Sequence, residues 1–433
     1  MSGEFAGSLG IAVMVFLMIL GMPIAFTMIL VGFLGFSCLT SLDGGLFLLG
    51  DSFYYQFTSY TMLVIPLFVF MGEIAFHSGI SKRIYRTAHA WLGFIPGGLA
   101  VATIGACAGF SAICGSSTAT AATMGTVGLP EMRKHDYNPS FATGTVAAGG
   151  TLGILIPPSI VLIVYGIQTE LSIGKLFIAG ILPGVLLSIL FISMILTMCI
   201  INPSLGSPAP KSSFKEKFKS LSGTIEMILL FLLVIGGLLI GWFTPTEAAG
   251  IGAAGAIMIG LVKRSLSWDG FKKALLGTTR TSSMVLLILA SAMIFSRFLT
   301  MSGLPQALAA WVGGLNASPY IILFCIMGIY LLGGCVMDPL SFLIITINIF
   351  FPIVLKAGFD PIWFGVIIVI LLEAGAITPP VGINVYVIKG IAHDVDLHTI
   401  FKGIFPFLGA IILGLIILTM FPGIVLFLPG LVR

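Results

Sequence analysis

Charge is what this chain has least of. Only 8% of its 433 residues are Asp, Glu, Lys or Arg, against 58% that are hydrophobic. A soluble domain carries about a quarter charged residues, so the deficit excludes an ordinary water-exposed globule and places the chain in lipid. Cys38, Cys107, Cys114, Cys199, Cys325 and Cys335 lie singly in apolar runs without a C-x-x-C, and read as small buried hydrophobes rather than as a metal or redox set. The five histidines are scattered in loops with no metal-ligand spacing. No G-x-x-x-x-G-K-[ST] occurs, and Gly174-Lys175 is followed by Leu176, so ATP binding by a phosphate loop is excluded. G-x-S-x-G is missing as well, and the chain does not read as an enzyme. The apolar N-terminal stretch has neither a basic leader region nor a small-residue cleavage site, and is expected to be retained in the membrane.

What is there instead is glycine and proline inside apolar runs, 54 and 22 of them. Several of these runs reach the ~20 residues that cross a bilayer. The chain is organised around Gly149 to Ile167, GGTLGILIPPSIVLIVYGI, where an apolar helix meets a Gly-Gly, a Thr and then Pro157-Pro158. A proline pair removes two backbone donors and its rings clash with the preceding turn, so no continuous helix runs through it. Non-helical backbone at membrane depth is tolerated only where it lines a cavity or is buried in protein. The same break recurs at Glu373 to Ile391, EAGAITPPVGINVYVIKGI, with Pro379 222 residues after Pro157 (379 − 157). At that offset Pro130 meets Pro352, Pro139 meets Pro361 and Pro158 meets Pro380.

Taken in order, residues 3–40 form one kinked helix or two short ones around Gly21-Met22-Pro23, and Asp51 to Tyr60 is interfacial. Met62 to Phe76 is a membrane helix, and Ser81 to Trp91 is a basic amphipathic connector. Ile95 to Met132 has basic flanks on both sides (Lys82, Arg83 and Arg86 before it, Arg133 and Lys134 after), so it starts and ends in the cytoplasm. Its small polar centre, Cys114 to Thr118, predicts a re-entrant hairpin with arms of about 15 residues, too short for a full span. The broken helix spans Asn138 to Gln168, and Leu176 to Ile201 is a plain crossing. Asn202 to Ser222, with Lys211, Lys215, Lys217 and Lys219, reads as a cytoplasmic loop. Thr224 to Trp242 and Glu247 to Val262 follow as a helical pair, and Thr244-Pro245-Thr246-Glu247 between them matches a capping box, making Glu247 a cap before a ligand. Lys263 to Arg280 is a second connector, Thr281 to Thr300 a crossing, and Met301 to Pro319 an uncharged outer stretch. Tyr320 to Leu355 predicts a second hairpin turning at Gly333 to Pro339, its flanks nearly free of Lys and Arg. Ile400 to Met420 is the last crossing, before a short apolar tail.

The fold expected is therefore an all-α polytopic membrane protein. It is an inverted repeat with two re-entrant hairpins and two broken helices. N-terminal scaffold helices occupy 1–94, the first transport repeat 95–184, linking and scaffold helices 185–317, the second transport repeat 318–407, and a C-terminal membrane segment 408–433. Backbone carbonyls with Ser or Thr hydroxyls suit a sodium ion, and helix N-termini suit a carboxylate. The first candidate sodium site sets Ser116, Ser117 and Thr118 against Gly149, Gly150, Thr151 and Gly153. The second sets Gly333, Gly334 and Asp338 against Gly375, Thr378 and Pro379. For the serines and Asp338 the alternative is helix capping. Ser117, Pro157, Pro158, Pro380 and Asn384 are substrate candidates at the tips and breaks. Arg297 either meets an anionic substrate or snorkels to the outer surface, and Glu373 either orients its loop or pairs with Arg297.

GSSTATAATMGTVGLPEM (115–132), GGTLGILIPPSIVLIVYG (149–166), SIGKLFIAGILPG (172–184) and EAGAITPPVGINVYVIKG (373–390), with IPLF and GE at 65–73, resemble the large membrane subunit of TRAP transporters, the tripartite ATP-independent periplasmic uptake systems. The resemblance covers nearly the whole chain. It implies a sodium-driven, elevator-type carrier of organic acid anions (C4-dicarboxylates, sialic acid, sugar acids) in the bacterial inner membrane. The implied partners are a small four-helix membrane subunit and a periplasmic binding protein, with no nucleic acid; sodium is co-transported rather than resident. The rival readings are a stand-alone sodium/dicarboxylate symporter of the same design, and a channel or structural subunit.

Overall fold

The computed structural model describes residues 2–209, 212–314 and 318–431. Lys211 and residues 315–317 of the outer stretch lie outside them. Among the described residues, eight helical spans are long and apolar enough to cross a membrane by length and composition, and the molecule is a polytopic helical membrane protein.

The N-terminal run resolves into two helices, Gly3–Ile19 and Ile24–Leu39. Gly21 takes a φ of +86° between them, and Pro23 opens the second helix from its N-cap. Ile24–Leu39 and Val64–His77 both pack on one long helix, Trp268–Ser302. That helix corrects the division of 263–300 into connector and crossing. Ser267 caps its start, accepting from the Gly270 N–H, and 35 residues then run without a break. The two internal glycines there are tolerated because propensity is a weak term once packing on neighbours decides. The loop at 202–222 likewise contains a helix the sequence reading lacks, Phe214–Leu221, closed at its start by a capping box of Ser213 and Glu216. Eight residues are too few to give a periodic signal of their own.

Thr244 and Glu247 form the expected reciprocal cap. The Glu247 N–H donates to Thr244 Oγ1 (3.3 Å), and the Thr244 N–H donates to Glu247 Oε2 (2.8 Å). Thr244→Ala is expected to cost about 1 kcal/mol of stability, read as a lowered melting temperature of the purified protein in nanodiscs; an unchanged temperature would show that the cap contributes nothing.

Two hairpins and two broken helices lie among the remaining helices. The first hairpin pairs Gly98–Cys114 with Ser117–Lys134, and the second pairs Pro319–Val336 with Pro339–Lys356. Arms of 17 and 18 residues exceed the expected 15, and both arms of the second hairpin are among the helices long and apolar enough to cross a membrane. The first broken helix consists of Pro139–Gly150, Leu152–Leu155 and Ile160–Thr169, and the second of Pro361–Ile377 and Ile383–Lys389. Contacts between the units fix their relative direction. Ser140 Oγ donates to the Thr399 carbonyl (2.8 Å) and Arg133 pairs with Asp394, so the first broken helix begins where the second has ended. Tyr165 Oη donates to the Pro361 carbonyl (2.6 Å), so the first ends where the second begins. The two broken helices therefore run antiparallel. Where the first crosses helix Leu397–Met420, a Cβ on Gly144 would lie 2.9 Å from Gly403 Cα, and one on Gly403 would collide with the Ser140 carbonyl.

Candidate functional site

The first hairpin turns at Gly115, which takes a φ of +66°, a conformation that suits a residue without a Cβ. A Cβ there would also lie 2.6 Å from the Pro158 carbonyl oxygen. The Gly115 carbonyl accepts from the Ile160 N–H (3.4 Å), so the hairpin tip lies level with the break, part-way along a 31-residue helical run. Ser116 caps the returning arm. Its Oγ accepts from the Ala119 N–H (3.3 Å) and lies 3.2 Å from Thr118 Oγ1. Gly153 abuts the Ser116 carbonyl, and the Cβ position of Gly150 is 3.1 Å from the Ser117 carbonyl. Helix glycines thus let the tip carbonyls seat directly on the broken helix.

The second unit repeats the arrangement. The Val381 N–H donates to the Cys335 carbonyl (3.1 Å), and the Cβ position of Gly375 lies 2.6 Å from Gly334 Cα. Asp338 caps the returning arm, its Oδ1 accepting from the N–H groups of Leu340 (3.1 Å) and Ser341 (3.3 Å). Thr151 Oγ1 donates to the Ala148 carbonyl and Thr378 Oγ1 to the Ala374 carbonyl, each at 2.6 Å. Both proline pairs are joined by cis peptide bonds. A hydroxyl that donates inward keeps its lone pairs for an acceptor role, which is what a cation needs of it.

Both tips open onto one cavity of about 1270 Å³. Ser116, Ser117 and Thr118 line it from the first hairpin, Asp338 from the second, and Asn384 from the second broken helix. The Gly21-Met22-Pro23 break and the long helix, through Thr281, Met284 and Ile288, form the opposite wall. Asn384 is fully buried, and neither of its amide atoms has a hydrogen-bond partner among the described residues. Among the described residues that line the cavity there is no Lys, Arg or His, while two carboxylates, Glu73 and Asp338, are present.

The remaining expected residues fall elsewhere. Pro157 and Pro158 are buried behind the first tip, while Pro379 and Pro380 are exposed; none of the four lines the cavity. Gly149 faces Cys107 on the outgoing arm (2.7 Å from its Cβ position) and Gly333 faces the Phe342 ring, so both turn their Cα hydrogens away from the cavity. Arg297 lies apart from the other candidates. Ile294, Phe295 and Phe298 fill the buried face of the long helix, and the helical period leaves Arg297 exposed and outside the cavity. Its pairing with Glu373 is absent too: both Glu373 carboxylate oxygens are buried without a partner. Glu73 is the lining residue that reasoning from hairpins and breaks passes over. Its carboxylate lies over Gly277 of the long helix (2.7 Å from the Cβ position), with His77 Nε2 3.7 Å away. An acidic residue inside an apolar helix was the available signal.

Residues 11–424 match the family model described as the DctM component of the tripartite ATP-independent periplasmic transporter. The chain belongs to this family. A Pseudomonas aeruginosa relative named C4-dicarboxylate TRAP transporter large permease protein DctM is 38% identical over 373 residues, which are 86% of each chain. The Vibrio cholerae sialic acid TRAP transporter large permease protein SiaM is 33% identical over 432 residues, covering 100% of this chain and 99% of that one. Among solved structures, the Alcanivorax borkumensis YdaH transporter aligns with a TM-score of 0.62 at 16% identity, over 88% of this chain and 89% of that one, a likeness of fold alone. As a DctM-family permease subunit, the chain is not an enzyme.

Proposed function

We propose that this chain is the large transmembrane subunit of a sodium-driven TRAP transporter in a bacterial inner membrane. It imports an organic acid anion that a periplasmic binding protein delivers, and works beside a separate small four-helix membrane subunit. The observation that carries the reading is the meeting of both hairpin tips and Asn384 at one cavity in a chain of the DctM family. Relatives named for C4-dicarboxylates and sialic acid set the substrate class to be tried first. In this reading residues 95–184 and 318–407 are inverted transport repeats with re-entrant hairpins. They carry the cavity across the membrane, elevator-fashion, against scaffold segments 1–94 and 185–317, and the tips and breaks hold the sodium ions.

The test is uptake into proteoliposomes holding this chain and its small subunit, with candidate binding proteins loaded with succinate or N-acetylneuraminate. Saturable accumulation that needs both a sodium gradient and the binding protein is expected. Uptake by this chain alone would favour the stand-alone symporter, and non-saturable flux would favour a channel. Ser116→Ala and Thr378→Ala are each expected to raise the sodium concentration for half-maximal uptake about tenfold, the loss of one ion ligand at about 1.4 kcal/mol. An unchanged sodium dependence in both would remove the two sites from the account.

A further inference from the structure

Glu373 is the least explained side chain in the molecule. It lies in helix Pro361–Ile377, one turn before the second break, and is only 2% exposed. Among the described residues, neither carboxylate oxygen has a hydrogen-bond partner. The Ser117 hydroxyl, from the first hairpin, stands beside it. Thr120 Oγ1, one turn further along the same arm, is also buried and unpartnered. The neighbours of Glu373 on its own helix face the other way: the Leu372 carbonyl and Gly375 pack on Gly334 of the second hairpin. Glu373 therefore stands where its helix passes between the two hairpin tips.

Among the described residues, no side-chain cation pairs with this carboxylate. The lysines on the helices packed against Pro361–Ile377 are Lys175, Lys356, Lys389 and Lys402, all within two turns of a helix end. None forms an ion pair with Glu373, and the Lys389 ammonium donates instead to the His393 and Val395 carbonyls. A buried carboxylate without a partner is costly, and buried charges are found paired or holding a metal. Spare hydroxyl lone pairs beside a carboxylate are the donor set of a hard monovalent cation rather than of an anion or a transition metal.

We propose that Glu373 is the charged ligand of a sodium ion shared with Ser117, so that this ion bridges the first hairpin and the second broken helix. The proposal rests on the sodium-driven reading and adds to it a carboxylate that no hairpin-and-break reasoning places at an ion. It also gives the cation a mechanical role: the ion adds an ionic tie to the apolar packing of the first hairpin at Gly125 on Ile388 and Ile391 beyond the second break. With the ion gone, the uncompensated charge loosens that contact.

The test is thermal unfolding of the purified chain in nanodiscs, titrated with NaCl at constant ionic strength against KCl. Wild-type protein is expected to gain melting temperature saturably with sodium. Glu373→Gln is expected to need at least ten times more sodium for half the gain, and in KCl alone to melt at or above the wild-type temperature, since the unpaired charge is removed. Glu373→Asp keeps the charge and is expected to respond to sodium with a shifted midpoint; if the Gln variant fails to fold, this variant decides, and an unshifted midpoint overturns the proposal. A wild-type midpoint in Glu373→Gln would mean that the carboxylate carries a proton and no metal, which overturns it as well. Wild-type protein indifferent to sodium would sink the sodium-driven reading together with this one, whereas a responsive wild type beside an equally responsive variant sinks this one alone.

Discussion

Gly153→Ala is expected to leave a folded protein that has lost uptake by about 100-fold. The added methyl would collide with the Ser116 carbonyl and lie 2.7 Å from Thr120 Oγ1. Neither neighbour gives way cheaply, since one is backbone at a tight turn and the other a β-branched side chain whose rotamers are few. The hairpin tip must therefore lift from the broken helix. Ligand constellations work within about 0.5 Å of their geometry, and a displacement near 1 Å can cost two orders of magnitude. Proteoliposome uptake compared with the melting temperature separates the two effects. Normal uptake by a well-folded variant would mean that contact between tip and break is not needed for transport.

Gly403→Ala should act on stability instead. Its methyl would be driven into the Ser140 carbonyl where helix Leu397–Met420 crosses the first broken helix, far from the cavity. Overpacking of this kind costs about 3 kcal/mol, and here both partners are backbone. The expected result is a protein that extracts poorly and melts well below wild type. Gly403→Ser should do the same, which distinguishes a volume effect from a polarity effect. A variant as stable as wild type would mean that the two helices separate easily, and would weaken the antiparallel packing described for the two units.

Much of this architecture was legible because prolines and glycines are costly in lipid and so mark real discontinuities. Pro157-Pro158 and Pro379-Pro380 located both breaks, and Gly115 with Ser116 located the first turn. The cap at Thr244 and Glu247 was written in four residues. What could not be read were properties of faces. Nothing in the sequence around Arg297 says which side of a 35-residue helix it occupies, and the answer came only from the packing of Phe295 and Phe298. The continuity of Trp268–Ser302 was hidden for a related reason: charges in its first turns looked like a separate surface helix, although packing carries it straight on. Glu373 was visible as an anomaly, but its two readings, orienting its loop or pairing with Arg297, could not be separated, because sequence distance says nothing about the rotation of either helix.

The polarity of the cavity wall sets terms for anything that enters. An acid arriving there finds hydroxyls, an amide and two carboxylates, with no basic side chain among the described lining residues to meet it. On the sodium-driven reading proposed above, its countercharge comes from solution, as small cations that settle before the acid does. On that reading a passenger without its cations would be repelled by the like charge of Glu73 and Asp338, which ties its passage to theirs.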